Sequence, residues 1–431
     1  MYERYTSSAM ADTWSAARQY ARWRSVELEV LRARVSLGEL PAEVAAAASS
    51  ALLPSPAEVS ATEATTRHDV VAFLDVWTSG MSPEVAGWVH RDLTSSDVVD
   101  TGLAIALDET TDVLDMAGSA LVGALRDHAL RHRTTVRLGR THGRGAEADV
   151  WGHRVADFAL AVSRCRDRLR QARAEAALVK ISGPVGRYSR LDRRIEEIVA
   201  SRLNLRAAPV TTQVVMRDSL AMWMGAVAVL SSVTEAIALE VRHGQREEVA
   251  EIFEPHGAGQ VGSSSMPHKR NPVTSEQVCG LARVVRSLVL PVTEGIALWH
   301  ERDISHSSVE RVCVPQAAAL TEHQLIEMAR VISGLEVDEG RMLRNLRGAG
   351  ATVVSSELLT LLVQQGLPRT DAQDLLRPPP DADPAMYEKT VRERAARAGL
   401  HLPAGDLVTL AVDRVQRSDA LDVVFEQVAS L

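Results

Sequence analysis

Proline placement constrains this chain more than any other feature. No proline occurs between Pro83 and Pro184, between Pro209 and Pro255, or between Pro315 and Pro368. Proline breaks helix interiors, so these gaps leave room for long helices. The sequence inside them is rich in Ala, Leu, Arg, Glu and Val. Over 102–132, Leu103, Leu107, Val113, Leu114, Leu121, Val122, Leu125 and Leu130 recur at spacings near three and four, the period of one helix face. Residues 150–179 behave similarly. Residues 213–243 are apolar almost all round in their middle, as expected for a helix buried inside a bundle. Alternating strand patterns with hairpin turns are scarce. The expectation is an all-α chain whose core is a bundle of long helices shared with other subunits.

Charge and cysteine usage exclude several classes. Lys+Arg is 48 against 56 for Asp+Glu, a net charge of −8 with no basic block, which argues against a nucleic-acid binder. Cys165, Cys279 and Cys313 make no disulfide framework, and no CxxC pair suggests zinc. The polar start MYERYTSSAM shows no signal peptide. The longest apolar run, 220–230, falls short of the ~20 residues of a membrane span. A cytoplasmic protein without a membrane or nucleic-acid partner is expected. Only Lys180, Lys269 and Lys389 are lysines, against 45 arginines. Where arginine is the default cation, a lysine in an unusual context marks a position that wants an ammonium.

Three stretches break the helical pattern: 78–94, 254–272, and 366–384 with its run Pro378-Pro379-Pro380. The first and third are candidate domain boundaries. The second contains GSSSMPHKRNP at 262–272, which offers hydroxyls, an imidazole, an ammonium, a guanidinium and an amide within a few residues. Gly/Ser loops in compact helical proteins are often lids. Here a serine can act as a base if a cation stabilises its alkoxide; a solvated linker is the plain alternative.

LTSSDVVDTG at 93–102 reads as a helix N-terminus with Asp97 in the first turn, and such termini also bind carboxylates and phosphates. GRTHG at 139–143 sets His142 beside a backbone bend. RHDVV at 67–71 sets His68 between Arg67 and Asp69, a context that tunes its pKa. In WHERDISHSSVERV, a helix starting near Ile304 puts Ser307 and Arg311 on one face with Arg302 before them, a set suited to phosphate. His300 and His306 are six apart and no HExxH occurs, so no metal site is expected.

GSSSMPHKRNP resembles the signature loop of the fumarase/aspartase superfamily. ERY at 3–5, RHDVVAF, LTSSDVVDT, GRTHG, TTQVVMRD at 211–218, EVRHGQREEV at 240–249 and WHERDISHSSVER resemble its adenylosuccinate lyase branch, in the family's order over about residues 1–365. The resemblance implies a three-domain all-α fold: an N-terminal helical domain (1–93), a central long-helix domain carrying the loop (94–344) and a small C-terminal helical domain (345–431). It implies a homotetramer with active sites shared between subunits, and β-elimination of fumarate from an N-substituted aspartate. The expected small-molecule substrate is adenylosuccinate, giving AMP, with succinyl-carboxamide ribotide beside it.

The resemblance also implies roles. Ser263 matches the base. Lys269 and the loop amides stabilise the alkoxide and the enolate-like carboxylate. Asn271 orients a carboxylate, and His142 matches the general acid. His68 supports the substrate phosphate or the acid, with Arg67 and Asp69 in the substrate-binding set. Thr94, Ser95 and Gln213 match succinyl and base contacts. Arg4, Tyr5, Arg302, Ser307 and Arg311 match the nucleotide-phosphate set. No metal or organic cofactor is needed. Two departures point the other way: Asp92 stands where family members have glycine, and Asp149 appears after GRTHG where a hydroxyl is usual. Each is a possible carboxylate near an anionic substrate. They leave open a specialised-metabolism lyase that releases fumarate from a phosphate-free N-substituted aspartate or hydrazinosuccinate conjugate. A non-catalytic structural relative and a nucleotide-binding regulator are the readings from other classes, and fumarate release separates both from an enzyme.

Overall fold

Long helices occupy the proline-free stretches. The computed structural model describes residues 2–257, 266, 269–379 and 383–431, and in it helices run over Ser95–Arg131, Trp151–Ala176, Asp218–Gly244 and Ser305–Ser333. The last carries Pro315 in its interior, a position where the sequence alone argues for a break. The fold is all-α, with three two-stranded sheets as the strand content of the described residues.

The Asp218–Gly244 helix has a mean hydropathy of 1.6 over its most apolar window and is long enough to cross a bilayer, as is the Glu339–Gln364 stretch. No unbroken apolar run reveals this, because polar residues interrupt the helix. Half of the Asp218–Gly244 window is buried inside the protein, as for a core helix.

The chain packs as two compact units built from alternating segments. The first comprises Met1–Ser119, Arg164–Ser232 and Gly280–Ile326; the second comprises Ala120–Ser163, Val233–Cys279 and Glu327–Leu431. In the first, an aromatic cluster joins the Ala16–Ser36 and Asp69–Thr78 helices. Tyr20, Trp23, Phe73 and Trp77 stand with ring centroids 5.5–5.8 Å apart, the spacing of favourable aromatic pairs. The cluster backs His68 and Asp69, which begin the second of these helices.

In the second unit the core carries a β-hairpin. Leu138 lies among Leu346, Val353, Leu358, Tyr387 and Leu407, and Val136 and Ala148 pack against the same cluster. The C-terminal helices therefore form the platform of the strands that hold GRTHG.

A buried histidine in this unit sets a pH dependence. The Trp151 indole donates to His128 Nε2 at 3.0 Å. Burial, then the neighbouring His132 and Arg131, push the His128 pKa from 6.5 down to about 3. The folded protein thus holds His128 neutral, and only unfolding lets it take a proton. Stability is expected to fall as pH drops from 6.5 towards 3, by about 1.4 kcal/mol per pH unit from this group. Thermal melts between pH 7 and pH 4 check it. His128→Gln cannot titrate and should lose that part of the slope; an identical slope in both proteins rules the assignment out.

Candidate active site

His142 sits at the tip of the hairpin. Strands Val136–Thr141 and Arg144–Val150 pair antiparallel, with Thr141 opposite Arg144. Only His142 and Gly143 lie between them, with φ of 54° and 72°. Positive φ at both central residues is the type I′ turn, whose twist matches the strands. Histidine is among the few side chains enriched at positive φ, so the motif supplies both turn and imidazole. The hairpin is clamped from below. Arg140 donates to both Glu251 oxygens at 2.9 and 2.7 Å, and Asn345 Nδ2 donates to Glu251 Oε1 at 2.7 Å. The hairpin falls between the two periodic stretches, in residues without clean alternation, and its sequence signal was the His-Gly pair at 142–143.

The signature stretch is pinned at its stems, also in the second unit. The Glu254 carboxylate accepts the backbone N–H groups of Thr274 and Ser275 at 3.2 and 2.6 Å, capping the Val273–Ser287 helix with a charge of the favourable sign. Arg270 donates to Glu336 at 2.7 and 3.0 Å and to the Glu254 carbonyl at 3.0 Å. Its neighbours Lys269 and Asn271 are thereby held at one end of the stretch, Lys269 exposed to solvent. Ser263 lies outside the described residues. Sequence reading missed the anchoring roles of Glu254, Arg270 and Glu336, because their partners lie up to 66 positions away.

The first unit gathers most of the other candidates. His68 Nε2 lies 3.4 Å from Ser95 Oγ, and its Nδ1 lies 3.4 Å from Asp69 Oδ1. The second Asp69 oxygen pairs with Arg311, one turn after Ser307 on the Ser305–Ser333 helix. Arg67 is the left-handed cap of the Pro56–Thr66 helix, which turns the chain into His68. Thr94 precedes the Ser95–Arg131 helix, and Asp97 Oδ2 accepts its N–H at 2.8 Å, half of a capping box. Arg302 Nη1 donates to Gln213 Oε1 at 3.3 Å, while its buried Nε has no hydrogen-bond partner among the described residues.

Arg4 and Tyr5 stand elsewhere. Tyr5 packs on the His323 ring at 5.1 Å. His323 is twelve residues beyond Arg311, about 18 Å along the helix at 1.5 Å per residue. One copy of the chain therefore does not unite Arg4 and Tyr5 with Arg311.

A buried triad braces these elements. Arg217 grips both Asp100 oxygens at 2.8 and 2.9 Å and donates Nε to Glu310 at 2.7 Å. Burial pushes the Asp100 carboxyl up, but Arg217 outweighs it and holds the group below its usual range. For Glu310 burial wins over Arg217, and its pKa is raised. His306 is neutral nearby: burial, then Arg217, push it down to about 4.

The two departures prove to be structural. Asp149 faces Arg137 across the hairpin, pairs with it at 3.2 Å, and takes a 2.9 Å bond with His153. Burial raises the Asp149 pKa, and His153 and Arg137 more than reverse the effect. Asp92 has φ 64°, a conformation that glycine takes freely and aspartate tolerates, and its carboxylate pairs with Arg34 at 3.3 Å. Both charges are met by arginines. Among the described residues, no group of three His, Cys, Asp or Glu side chains is placed to hold a metal ion.

Comparison with known proteins shows the family and the fold. Residues 26–287 match the family described as lyase. The chain is 38% identical over 380 residues to the adenylosuccinate lyase of Aquifex aeolicus, covering 88% of this chain and 87% of that one. It is 40% identical over 384 residues to the adenylosuccinate lyase of Deinococcus radiodurans, covering 88% of each. Among solved structures it is similar to a fumarate lyase from Mesorhizobium sp. BNC1, with a TM-score of 0.83 at 21% identity over 100% of this chain and 99% of that one. It is also similar to a 3-carboxy-cis,cis-muconate lactonizing enzyme from Pseudomonas putida, with a TM-score of 0.80 at 24% identity over 99% and 97%.

Proposed function

As the chain belongs to the adenylosuccinate lyase branch of the lyase family and is a carbon–nitrogen lyase that releases fumarate, we propose that it cleaves adenylosuccinate to AMP and fumarate, and succinyl-carboxamide ribotide in the same way. The observation that carries this reading is the donor set at the start of the Ser305–Ser333 helix. Among the described residues the buried Arg302 Nε has no hydrogen-bond partner, and Ser307 and Arg311 follow, one turn apart. Guanidinium forks bind phosphate bidentately, and a phosphate-free substrate has no use for them. With Asp92 and Asp149 neutralised by Arg34 and Arg137, the two carboxylates no longer favour the phosphate-free alternative.

The chemistry follows from the charge that develops. Ser263, as alkoxide, takes the Cβ proton of the succinyl group. Negative charge builds on the adjoining carboxylate, where Lys269 and Asn271 meet it. Those electrons form the fumarate double bond as the C–N bond breaks. The leaving nitrogen takes a proton from His142, and Thr94, Ser95 and Gln213 hold the carboxylates. His68, between Asp69 and Ser95, supports the acid or the phosphate.

AMP tests the substrate. Millimolar AMP is expected to inhibit the enzyme and raise its melting temperature. Arg311→Ala should weaken AMP binding by about 1.5–3 kcal/mol, the cost of a charged hydrogen bond. If AMP neither inhibits nor stabilises, the phosphate-free lyase replaces this reading.

We further infer a cytoplasmic homotetramer. Met222 and Val229 on the Asp218–Gly244 helix are 63% and 45% exposed, and Val312 is 65% exposed, apolar area that association would cover. The distance of Tyr5 from Arg311 supports the same reading, since a second copy can supply Arg4 and Tyr5 to the phosphate. Light scattering at micromolar concentration should show four chains; a mass of 46.7 kDa, that of one chain, refutes the assembly.

A further inference from the structure

The chemistry above makes no use of the Asp97–Lys180 pair in the first unit, where both side chains are fully buried. Lys180 Nζ donates to Asp97 Oδ1 at 2.6 Å and to the Gly183 carbonyl at 2.8 Å. The same Asp97 oxygen accepts the N–H groups of Ser182 and Gly183 at 3.0 and 3.2 Å, while Oδ2 holds Thr94 N–H at 2.8 Å. Thr101 Oγ1 bonds the backbone N–H and carbonyl of Lys180 at 3.1 and 3.0 Å. The start of the Ser95–Arg131 helix is thus tied to the 180–183 segment.

That segment is tied in turn to Gln213. The Ser182 and Thr211 hydroxyls lie 2.8 Å apart. Gly186, at φ 73°, passes so close to the chain that a Cβ would stand 2.1 Å from the Thr211 carbonyl. Thr212 donates to the Glu301 carbonyl at 2.7 Å, and Gln213 accepts from Arg302. A continuous path of hydrogen bonds therefore runs from the Thr94 N–H through Asp97, Lys180 and Ser182 to Thr211, two residues before Gln213.

A buried ion pair is poor at stabilising a fold, since apolar replacements are often as stable or more so. Its short, charge-assisted bonds do fix direction. The cation is also one of only three lysines in a chain of arginines; a compact ammonium reaches a carboxylate and a carbonyl where a planar guanidinium does not fit. We infer that Lys180 is a positioning residue: with Asp97 it sets the Thr94–Ser95 helix start and the Gln213 segment in one geometry, so that a succinyl group meets both. This rests on the reading of Thr94, Ser95 and Gln213 as succinyl contacts.

The test uses the full-length enzyme with Lys180→Met, Lys180→Arg and Ser182→Ala. Hydrogen–deuterium exchange needs no substrate. Lys180→Met is expected to speed amide exchange roughly tenfold or more at both 94–101 and 209–214, by loosening local structure. Ser182→Ala, which keeps the ion pair, should do so at 209–214 alone. With adenylosuccinate, Lys180→Met should lower kcat/KM by about 10²-fold, the scale of a 1 Å misplacement, while AMP affinity falls by much less, about tenfold at most, because the pair reaches the phosphate set only indirectly, through Gln213 and Arg302. Lys180→Arg should keep the fold without restoring kcat/KM. Exchange confined to 180–183, or AMP affinity falling in step with kcat/KM, overturns the inference. Should Lys180→Met fail to fold, Ser182→Ala still decides it: unchanged exchange at 209–214 with unchanged kcat/KM overturns it. A parent enzyme that does not cleave adenylosuccinate defeats the substrate reading instead, and the exchange results still judge Lys180.

Discussion

Replacing His142 by asparagine is expected to lower kcat by about 10²–10⁴-fold, the range for losing a general acid, with no change in melting temperature. The substitution suits the structure. Residue 142 has φ 54° in a two-residue turn, and asparagine, like histidine, accepts positive φ. The hairpin, clamped by Arg140 on Glu251, should therefore survive. Asparagine cannot deliver a proton to the leaving nitrogen at neutral pH. AMP affinity should be unchanged, since His142 acts as the C–N bond breaks. Fumarate release gives the rate and calorimetry gives the affinity. Near-full turnover in the asparagine variant would assign the acid to another group, His68 first.

Arg217→Met should destabilise the fold by about 3–5 kcal/mol, the cost of stranding a buried charge. Arg217 is 4% exposed and is the shared partner of Asp100 and Glu310. Methionine has comparable length, so little of the loss comes from volume. Without the guanidinium both carboxyls must be buried as anions or take up protons. The variant should then recover stability as pH falls through their raised pKa values, because protonation removes the stranded charge. The parent behaves oppositely at Asp100: its folded pKa is lowered, so its contribution is present at neutral pH and lost in acid. Denaturant melts of both proteins at pH 7.5 and pH 5 measure this. A difference under about 1 kcal/mol at pH 7.5, the size of an ordinary exposed pair, would show that the triad is not a buried brace.

The long helices were legible in the chain because their causes are local. Proline gaps and a three-to-four spacing of apolar residues operate within a turn or two, and they mark the bodies of Ser95–Arg131, Trp151–Ala176 and Asp218–Gly244, though the first helix starts well before 102 and the third after 213. The helix start at Thr94–Asp97 and the one-turn spacing of Ser307 and Arg311 could be read for the same reason. Motif order pointed to the lyase family, which the match over residues 26–287 shows. Packing decided the rest. Pro315 lies inside a helix because the surrounding core holds it there, and its residues Val314, Ala317 and Ala318 are buried. The His142 hairpin depends on a platform of C-terminal side chains some 200 or more positions away. Asp149 read as a new charge facing an anion, but strand register sets it opposite Arg137. Lys180 stood out only by being a lysine; its carboxylate partner is 83 positions distant. Side-chain pattern and chain breakers act between neighbours and so are written in the sequence, whereas the partner of a buried charge is chosen by which distant segments the folded core brings within 3 Å.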